Sequence, residues 1–339
     1  MRKKYGYVFL ILLVITIGSF LTNMAFGSTS IPIFYSIKSL SNTSVLVPEW
    51  EVILWQFRLP KALTAVATGI ALSISGLLMQ TFFRNPLAGP YVLGISSGSS
   101  LGVALFVLSG SALGYSHFIT SGGMVLSAAL GCSMVFFFIV VLMQKVQDSL
   151  TVLIVGLMFG SLASALVGIL SYWSSAENLQ QYVFWGLGNL GALTYAEIIV
   201  LYGCLILGII LAIFCSKWLN ALLLGESYAK SLGVPYRKVQ YILIVTTCIL
   251  TGSVTAFVGP IAFIGLVVPY FSRMLFSSTD HKLHLLSCVL LGSILVLLCD
   301  TLSRTMIPAR IIPINAVTSL FGAPLVIVLL VLKKRFYSF

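Results

Sequence analysis

Long apolar segments alternate with short polar connections along almost the whole chain. Each segment contains few charged residues, and most reach the length of about 20 residues that a helix needs to cross a bilayer. Ten segments can be delimited, at residues 5–26, 59–83, 91–109, 118–143, 150–173, 195–216, 239–258, 260–276, 283–302 and 313–332. The pattern predicts an all-α polytopic membrane protein with about ten transmembrane helices in a single domain, residues 1–339.

The first apolar segment follows three basic residues, Arg2, Lys3 and Lys4. A secretory signal peptide also has a basic head, but its apolar core is usually about 7–15 residues long. Residues 5–26 are longer than that. Their length favours a retained first helix over a cleaved leader.

The outer connection after this helix, residues 28–57, ends in an amphipathic pattern. Trp50, Ile53, Leu54 and Phe57 have the three- and four-residue spacing that is typical of one helical face. We therefore expect a helix here that lies on the outer membrane surface.

The distribution of basic residues indicates the orientation of the chain, because cytoplasmic connections have an excess of lysine and arginine. If the N-terminus is cytoplasmic, fourteen of the nineteen basic residues face the cytoplasm, namely Arg2, Lys3, Lys4, Arg84, Lys145, Lys217, Lys230, Arg237, Lys238, Arg273, Lys282, Lys333, Lys334 and Arg335. The other five face outward, namely Lys38, Arg58, Lys61, Arg304 and Arg310. The count supports ten spans with both termini in the cytoplasm.

Composition excludes a water-soluble globular protein. Hydrophobic residues make up 59% of the chain and charged residues 8%, and the mean hydropathy is +1.09. Soluble domains have about 25% charged residues. The net charge of +11 does not indicate a nucleic-acid partner, because the basic residues are scattered between apolar segments rather than concentrated in one patch. The expected surroundings are a lipid bilayer.

The longest cytoplasmic connection is residues 217–238. Gly225 and Gly233 predict one or two short helices that are broken at the glycines. One interpretation is a solvated loop with a leucine-rich edge on the membrane. The other is an amphipathic coupling element that docks in a groove of a cytoplasmic partner.

Cysteine and histidine residues suggest no metal site. The six cysteines form no CxxC pair and lie mostly within apolar segments, so we expect inert packing residues. His281 and His284 are close in sequence but have no nearby third ligand, so we expect a solvated loop there rather than a metal centre.

A glycine- and proline-bounded segment, Gly259 to Pro269, interrupts the apolar pattern in the second half of the chain. Non-helical backbone at membrane depth is tolerated only where it is buried in protein or lines a cavity. Residues 84–90 occupy a comparable place in the first half. Paired interruptions are typical of transporters built from inverted repeats.

The stretch from Arg58 to Gly98 contains a series of motifs at fixed spacing. They are Arg58-Leu59-Pro60, then Gly69, Leu72, Gly76 and Gln80, then Arg84-Asn85-Pro86-Leu87-Ala88 with Pro90, and finally Leu93-Gly94 with Ser97-Gly98. This series resembles the iron-siderophore and vitamin B12 permease family of ABC importers. The sequence departs from the family pattern at Lys61, where arginine is common, and at Gly89, where an acidic residue is common. Gly259 to Pro269 resembles a second family hallmark, with Tyr270 in place of the usual histidine, and Gly322-Ala323-Pro324 resembles a third.

The resemblance implies a vitamin B12 permease-like subunit in the bacterial cell (inner) membrane. Such a permease dimerises around a central path, receives its solute from an extracytoplasmic substrate-binding protein and is driven by cytoplasmic ABC ATPase subunits. The family's solutes are ferric siderophores, haem and cobalamin, and nothing in the sequence selects among them. Whether the second permease subunit is identical or different is also left open.

The resemblance also implies roles for particular residues. In the 217–238 connection it places the ATPase coupling site at Gly225, Glu226, Ala229, Leu232 and Gly233. At the outer helix ends it places binding-protein docking at Arg58, Lys61 and Arg304. The alternative for these basic residues is that they anchor the helix ends by snorkelling. Asp300 and Arg304 also have the spacing of a helical ion pair.

Four small residues, Gly156, Gly160, Ser164 and Gly168, form a stripe along one apolar segment. Such stripes most often mark close helix packing. The resemblance implies that the corresponding helix lines the translocation path. Both interpretations remain open.

The sequence offers no support for an enzyme. It contains no Gly-x-x-x-x-Gly-Lys-Ser/Thr phosphate loop, no HExxH motif and no recognisable catalytic constellation, so we expect no catalytic, cofactor or metal site. ATP hydrolysis would have to occur on another polypeptide. The alternative function is an ion-coupled secondary transporter, which usually requires acidic residues within the membrane. Here the candidates, Glu197 and Asp300, lie near helix ends.

Overall fold

A computed structural model describes residues 2–27, 29, 31–40, 48–110, 120–145, 149–307 and 310–331. Within these residues all regular structure is helical. The α-helices are α1 (Arg2–Ala25), α2 (Ile33–Leu40), α3 (Pro48–Val52), α4 (Leu59–Phe82), α5 (Ile95–Val107), α6 (Ser121–Lys145), α7 (Ser149–Trp173), α8 (Ala176–Gly186), α9 (Tyr195–Leu222), α10 (Glu226–Ser231), α11 (Tyr236–Val258), α12 (Ile264–Leu275), α13 (His281–Thr305) and α14 (Ile314–Val331). Three of the basic residues assigned to the cytoplasm lie outside the described residues, namely Lys333, Lys334 and Arg335.

The helices agree with the apolar segments. Seven stretches are long and apolar enough to cross a membrane, namely Tyr5–Ala25, Glu49–Phe82, Ser121–Lys145, Thr151–Trp173, Tyr195–Leu222, Tyr236–Val258 and His281–Thr305. The other predicted segments correspond to three shorter apolar helices, Ile95–Val107, Ile264–Leu275 and Ile314–Val328. The prediction of an all-helical polytopic membrane protein is confirmed. Ten crossings stay a prediction, because the three short helices fall below the spanning length.

Helix α4 lies at the centre of the molecule and packs against α1, α9, α11, α12 and α13. Nearly all of its side chains are buried, as expected for a helix that is apolar on every side. A Cβ atom at Gly69 would overlap the backbone of Gly292 in α13, and one at Gly76 would overlap that of Gly265 in α12. Glycine at these crossings lets the helix backbones pack in direct contact.

The amphipathic stretch before α4 is helical, as predicted, and it is continuous with α4. It continues through π-helical turns at Ile53–Arg58 into α4 and forms one 34-residue apolar helix, Glu49–Phe82. Pro60 has no N–H to donate, and the helix widens just before it, where the Leu59 amide donates to the Leu54 carbonyl. The π-helical turns thus carry the chain past the proline without a break, and the position of this stretch on the outer membrane surface stays a prediction.

The backbone between α11 and α12 is non-helical, as the glycine and proline pattern predicts. Phe263 at its end has φ of +69°. The Tyr91 hydroxyl donates to the Ile261 carbonyl and accepts from the Ile261 N–H at 3.2 Å. The Asn315 side-chain oxygen accepts from the Ala262 N–H at 3.1 Å. These freed backbone groups are therefore bound within the protein, as membrane depth requires.

The second proline of this segment, Pro269, does not interrupt the chain but lies inside α12. A proline cannot donate to the carbonyl four residues before it, which here is that of Gly265. The Gln80 side chain of α4 replaces that donor, at 3.3 Å from the Gly265 oxygen and 3.1 Å from that of Leu266. The expected break at Pro269 is wrong because a neighbouring helix satisfies the backbone.

Contacts between helix ends bring together residues that the charge distribution assigns to the same side of the membrane. The Tyr5 hydroxyl donates to the Ser277 carbonyl at 3.4 Å, and the Asn220 amide donates to the Asp280 carboxylate at 3.3 Å. These residues lie in or beside segments assigned to the cytoplasm, and they meet at one end of the bundle. Two of the basic residues assigned to the outside, Lys61 and Arg304, meet around Asp300.

Candidate coupling, docking and path sites

A buried cluster of charged side chains joins the outer ends of α1, α4 and α13. The Asp300 carboxylate binds the Lys61 ammonium at 3.0 Å and the Arg304 guanidinium at 2.6 Å. The Asn23 amide donates to the same carboxylate at 2.9 Å. The ion pair expected from the spacing of Asp300 and Arg304 is present. Lys61 and Asn23 are partners that the sequence does not reveal, because they lie on other helices.

Arg58 lies at the same end of the bundle and is only 5% exposed. Its guanidinium donates to the carbonyl oxygens of Met24 and Ala25, each at 2.6 Å, and to that of Thr29. The last carbonyls of a helix have no donor within the helix. Arg58 therefore caps the C-terminus of α1 and ties it to α4.

The three basic residues proposed for docking thus have partners inside the protein. Their burial and bonding indicate a structural role for Arg58, Lys61 and Arg304. The cluster still contains three cations and one carboxylate, so it keeps an excess of positive charge at the outer end. Docking of a binding protein at these residues stays a prediction.

The 217–238 connection is largely helical. Helix α9 continues to Leu222, and α10 is bounded by Gly225 and Gly233, with φ of +108° and +78°. Residues with a side chain rarely adopt such values, whereas glycine adopts them readily. The predicted short helix broken at the glycines is confirmed.

Helix α10 has one anchored face and one exposed face. Ala229 is fully buried, whereas Tyr228 is 54% and Leu232 is 58% exposed. Glu226 and Lys230 form an exposed ion pair at 2.6 Å, one helical turn apart. A short, anchored helix with exposed apolar side chains is suited to docking in a groove of another protein.

The stripe of small residues on α7 divides into two pairs. A Cβ atom at Gly94 would lie 2.9 Å from the Gly156 carbonyl, and one at Gly160 would lie 3.2 Å from a side-chain oxygen of α5. Ser164 is exposed, and no other described atom lies within 4 Å of a Cβ placed at Gly168. The first pair packs against its neighbour, and the second pair leaves an open surface.

His281 and His284 do not lie in a solvated loop, and that expectation is wrong. Both are 3% exposed and lie in the first turn of α13. His281 Nε2 lies 2.9 Å from the Thr81 hydroxyl, and His284 Nδ1 lies 2.7 Å from that of Ser272. Asp280 directly before the apolar run is a helix N-cap signal, which could have placed both histidines inside the helix.

The His, Cys, Asp and Glu side chains of the described residues form no group of three or more that could hold a metal ion. All six cysteine thiols are free, and five of them are buried, in keeping with packing residues. Three features therefore remain as candidates for function. They are the charged cluster around Asp300, the partly exposed helix α10 and the open face of α7 at Ser164 and Gly168.

Known proteins resemble this chain along nearly its whole length. The profile of the FecCD transport family matches residues 12–332. The hemin transport system permease protein HmuU of Yersinia pestis is 35% identical over 335 residues, which cover 98% of this chain and 96% of HmuU. The vitamin B12 import system permease protein BtuC of Escherichia coli O9:H4 (strain HS) is 33% identical over 289 residues, which cover 85% of this chain and 86% of BtuC.

The fold also matches a solved structure, that of a metal-chelate type ABC transporter in an inward-facing conformation. The TM-score is 0.84 at 28% identity, and the match covers 96% of this chain and 99% of that chain. Sequence and fold thus agree with the motifs between Arg58 and Gly98. The chain belongs to the FecCD transport family and is a permease of the ABC importer type.

Proposed function

We propose that this chain moves an iron chelate inward across the bacterial inner membrane, driven by separate cytoplasmic ATPase subunits. The observation that supports this most directly is α10, a glycine-bounded helix that is anchored by Ala229 and exposes Tyr228, with exposed Leu232 directly after its end. It occupies the longest connection at the cytoplasmic end. The relatives named for hemin and vitamin B12 transport support the same function.

The mechanism we propose is alternating access. Two permease chains, identical or different, enclose a central path, and two conformations expose this path to either side in turn. ATP binding at the partner subunits favours one conformation through Gly225, Glu226, Ala229, Leu232 and Gly233. A partner can shift such an equilibrium only through its differential affinity for the two states. A helix that docks in the ATPase provides a contact of that kind.

The open half of α7 is the proposed lining of the path. Ser164 and Gly168 project little side-chain volume from an uncovered helix face. Gly156 and Gly160, in contrast, serve helix packing. A wide path with small side chains suits a bulky chelate.

The outer end is the proposed docking surface for an extracytoplasmic substrate-binding protein. The excess positive charge around Arg58, Lys61 and Arg304 would attract acidic side chains at long range. The three groups are already bonded within the protein. They would therefore attract the binding protein through their electrostatic field and not by donating further hydrogen bonds. We assign the choice of solute mainly to the binding protein, with a ferric siderophore as the first candidate and haem or cobalamin as the others.

The test is purification of the tagged chain in detergent from its native host, followed by identification of the proteins bound to it. We expect a P-loop ATPase to copurify with the native chain, and to be lost with Glu226→Lys and with Gly233→Val. Glu49→Lys makes the same charge reversal at an exposed residue of the outer end and should retain the ATPase.

A second outcome of the same purification would contradict the proposal. A chain that purifies alone, and that catalyses uptake driven by an ion gradient in liposomes without any ATPase, would overturn the proposal. It would instead establish an ion-coupled secondary transporter.

A further inference from the structure

A chain of hydrogen bonds connects α4, α13 and the C-terminal end of α9. The Thr81 hydroxyl of α4 lies 2.9 Å from His281 Nε2 at the start of α13. His281 Nδ1 lies 2.7 Å from the Asn220 side-chain oxygen of α9. The Asn220 amide nitrogen lies 3.3 Å from the Asp280 carboxylate. Three helices are thus joined through one buried imidazole.

The direction of each hydrogen bond follows from its partners. The Asn220 side-chain oxygen accepts from the His281 backbone N–H at 2.9 Å, and its nitrogen faces the Asp280 carboxylate. A flipped amide would set a donor against a donor and an oxygen against a carboxylate, so the orientation of Asn220 is determined. His281 Nδ1 therefore carries a proton that it donates to Asn220. In the neutral ring, Nε2 then accepts from Thr81.

The Thr81 hydroxyl has two alternative acceptors for its single proton. Besides His281 Nε2, the Leu77 carbonyl of the same helix lies at 2.9 Å. When His281 moves away, the hydroxyl turns to Leu77 and remains bonded. The link can therefore open without leaving an unsatisfied buried donor, which would otherwise be costly.

Apolar packing at this point is incomplete. A cavity of about 300 Å³ lies between the ends of α4 and α9, and its lining includes Leu77, Thr81, Leu223, Leu224 and His281. Leu223 and Leu224 are the residues that lead from α9 towards α10. Beside this cavity, the hydrogen-bond chain adds a polar connection between α4 and the end of α9 to the apolar contacts of the core.

From this arrangement we infer that His281 is a positioning residue that transmits displacement of α10 to α4 and α13 through Asn220 and Thr81. The inference rests on the proposed function, because it requires α10 to be moved by an ATPase. Coupling of this kind requires an element with two discrete arrangements. The alternative acceptors of Thr81 provide them.

The test uses the native complex of permease, ATPase and binding protein in liposomes. Hemin, vitamin B12 and a ferric hydroxamate are tried first, and the solute that the native complex transports is used for the variants. The quantity measured is the number of solute molecules transported per ATP hydrolysed. A purely structural role would lower transport and hydrolysis together and leave this ratio unchanged.

Thr81→Val removes the hydroxyl with little change in shape, and Asn220→Ala removes the next member of the chain. We expect each to lower the ratio about fivefold, as for the loss of one net hydrogen bond, with ATP hydrolysis retained. Thr81→Ser keeps the hydroxyl and should retain the native ratio. The double variant Thr81→Val/Asn220→Ala should be no worse than either single variant, because both interrupt one chain. Asn189→Ala, at an exposed outer position, is the matched control.

A native ratio in both Thr81→Val and Asn220→Ala would overturn the inference while leaving the proposed function intact. Additive losses in the double variant would also overturn it, because the two residues would then act independently. Absence of ATP-driven uptake of all three solutes by the native complex would overturn the proposed function and this inference with it.

Discussion

Asp300 shows how much one side chain can connect in this protein. Its carboxylate is buried and shared by Lys61 and Arg304, and Asn23 donates to it from a third helix. Charged groups at buried positions are costly unless they are paired. The Asp300 carboxylate therefore compensates the charge of the basic residues that lie largely buried at these outer helix ends.

Replacing this carboxylate should be strongly destabilising. Asp300→Asn leaves two largely buried cations, Lys61 and Arg304, without a counter-charge, and we expect a loss of about 3 kcal/mol in the free energy of unfolding. The measurement is the shift of the unfolding midpoint in detergent. Glu49→Gln makes the same change at an exposed carboxylate and should have little effect. Adding Lys61→Met to Asp300→Asn should restore part of the stability, and equal stability of all variants would contradict this account.

Glycine at the helix crossings is a second feature of single residues. Gly76→Ala introduces a Cβ that overlaps the Gly265 backbone, and overpacking of this kind costs about 1–3 kcal/mol. Gly203→Ala, on α9 with no other described atom within 4 Å of the new Cβ, should be neutral or stabilising by up to about 1 kcal/mol. Thermal unfolding of the two variants in detergent compares them directly. Equal destabilisation by both variants would show that the close contact of α4 and α12 at Gly76 does not require glycine.

At the scale of elements, a helix continues or ends at a proline according to which hydrogen-bond partners its backbone N–H and C=O groups find. Pro60 is passed by widening of the helix, and Pro269 is tolerated because Gln80 binds the freed carbonyl. The true break after α11 is bound by Tyr91 and Asn315 from other helices. Proline in the sequence therefore marks a backbone group that needs a partner, and the fold decides whether the helix ends there.

The break after α11 provides a test. Tyr91→Phe removes the hydroxyl that binds both backbone groups of Ile261, and we expect a cost of about 1–3 kcal/mol. Amide hydrogen exchange of residues 259–263, measured by mass spectrometry, should become faster. Tyr228→Phe on the exposed face of α10 is the control and should leave this exchange unchanged. Exchange at the native rate in Tyr91→Phe would show that other contacts hold the break.

For the whole molecule, the central question is which end faces the cytoplasm. Of the basic residues assigned to the two sides, Lys230 lies on α10, whereas Lys61 and Arg304 lie around Asp300. The 217–238 connection and the N-terminus belong to the same end. This separation is what the excess of basic residues in cytoplasmic connections predicts.

The orientation can be measured by labelling in intact cells with a membrane-impermeant thiol reagent. Ile311→Cys, at an exposed outer position, should be labelled at once, whereas Leu232→Cys should be labelled only after permeabilisation. The native chain, whose cysteines are mostly buried, gives the background. The reverse pattern would invert the proposed topology and place α10 outside.

The candidate sites were predictable to different degrees. The short helix between Gly225 and Gly233 follows from local sequence, because glycine is required where φ is positive. The different surroundings of Gly156, which packs against Gly94, and of Gly168, which lies on an open face, did not follow, since both are small residues on the same stripe. The burial of His281 did not follow from its polarity, although the N-cap before it was a usable indication.

The sequence by itself determined the class of the protein, the positions of most of its apolar helices and the motifs of the FecCD transport family, and it predicted the orientation of the helices from their charged connections. These properties depend on apolar length, charge asymmetry and local spacing, all of which are present along the chain. Only the tertiary structure decided that Lys61 shares the Asp300 carboxylate, that Gln80 satisfies the backbone near Pro269 and that Asn220 meets His281. These contacts join residues on different helices, so they depend on how each helix is rotated and packed against its neighbours.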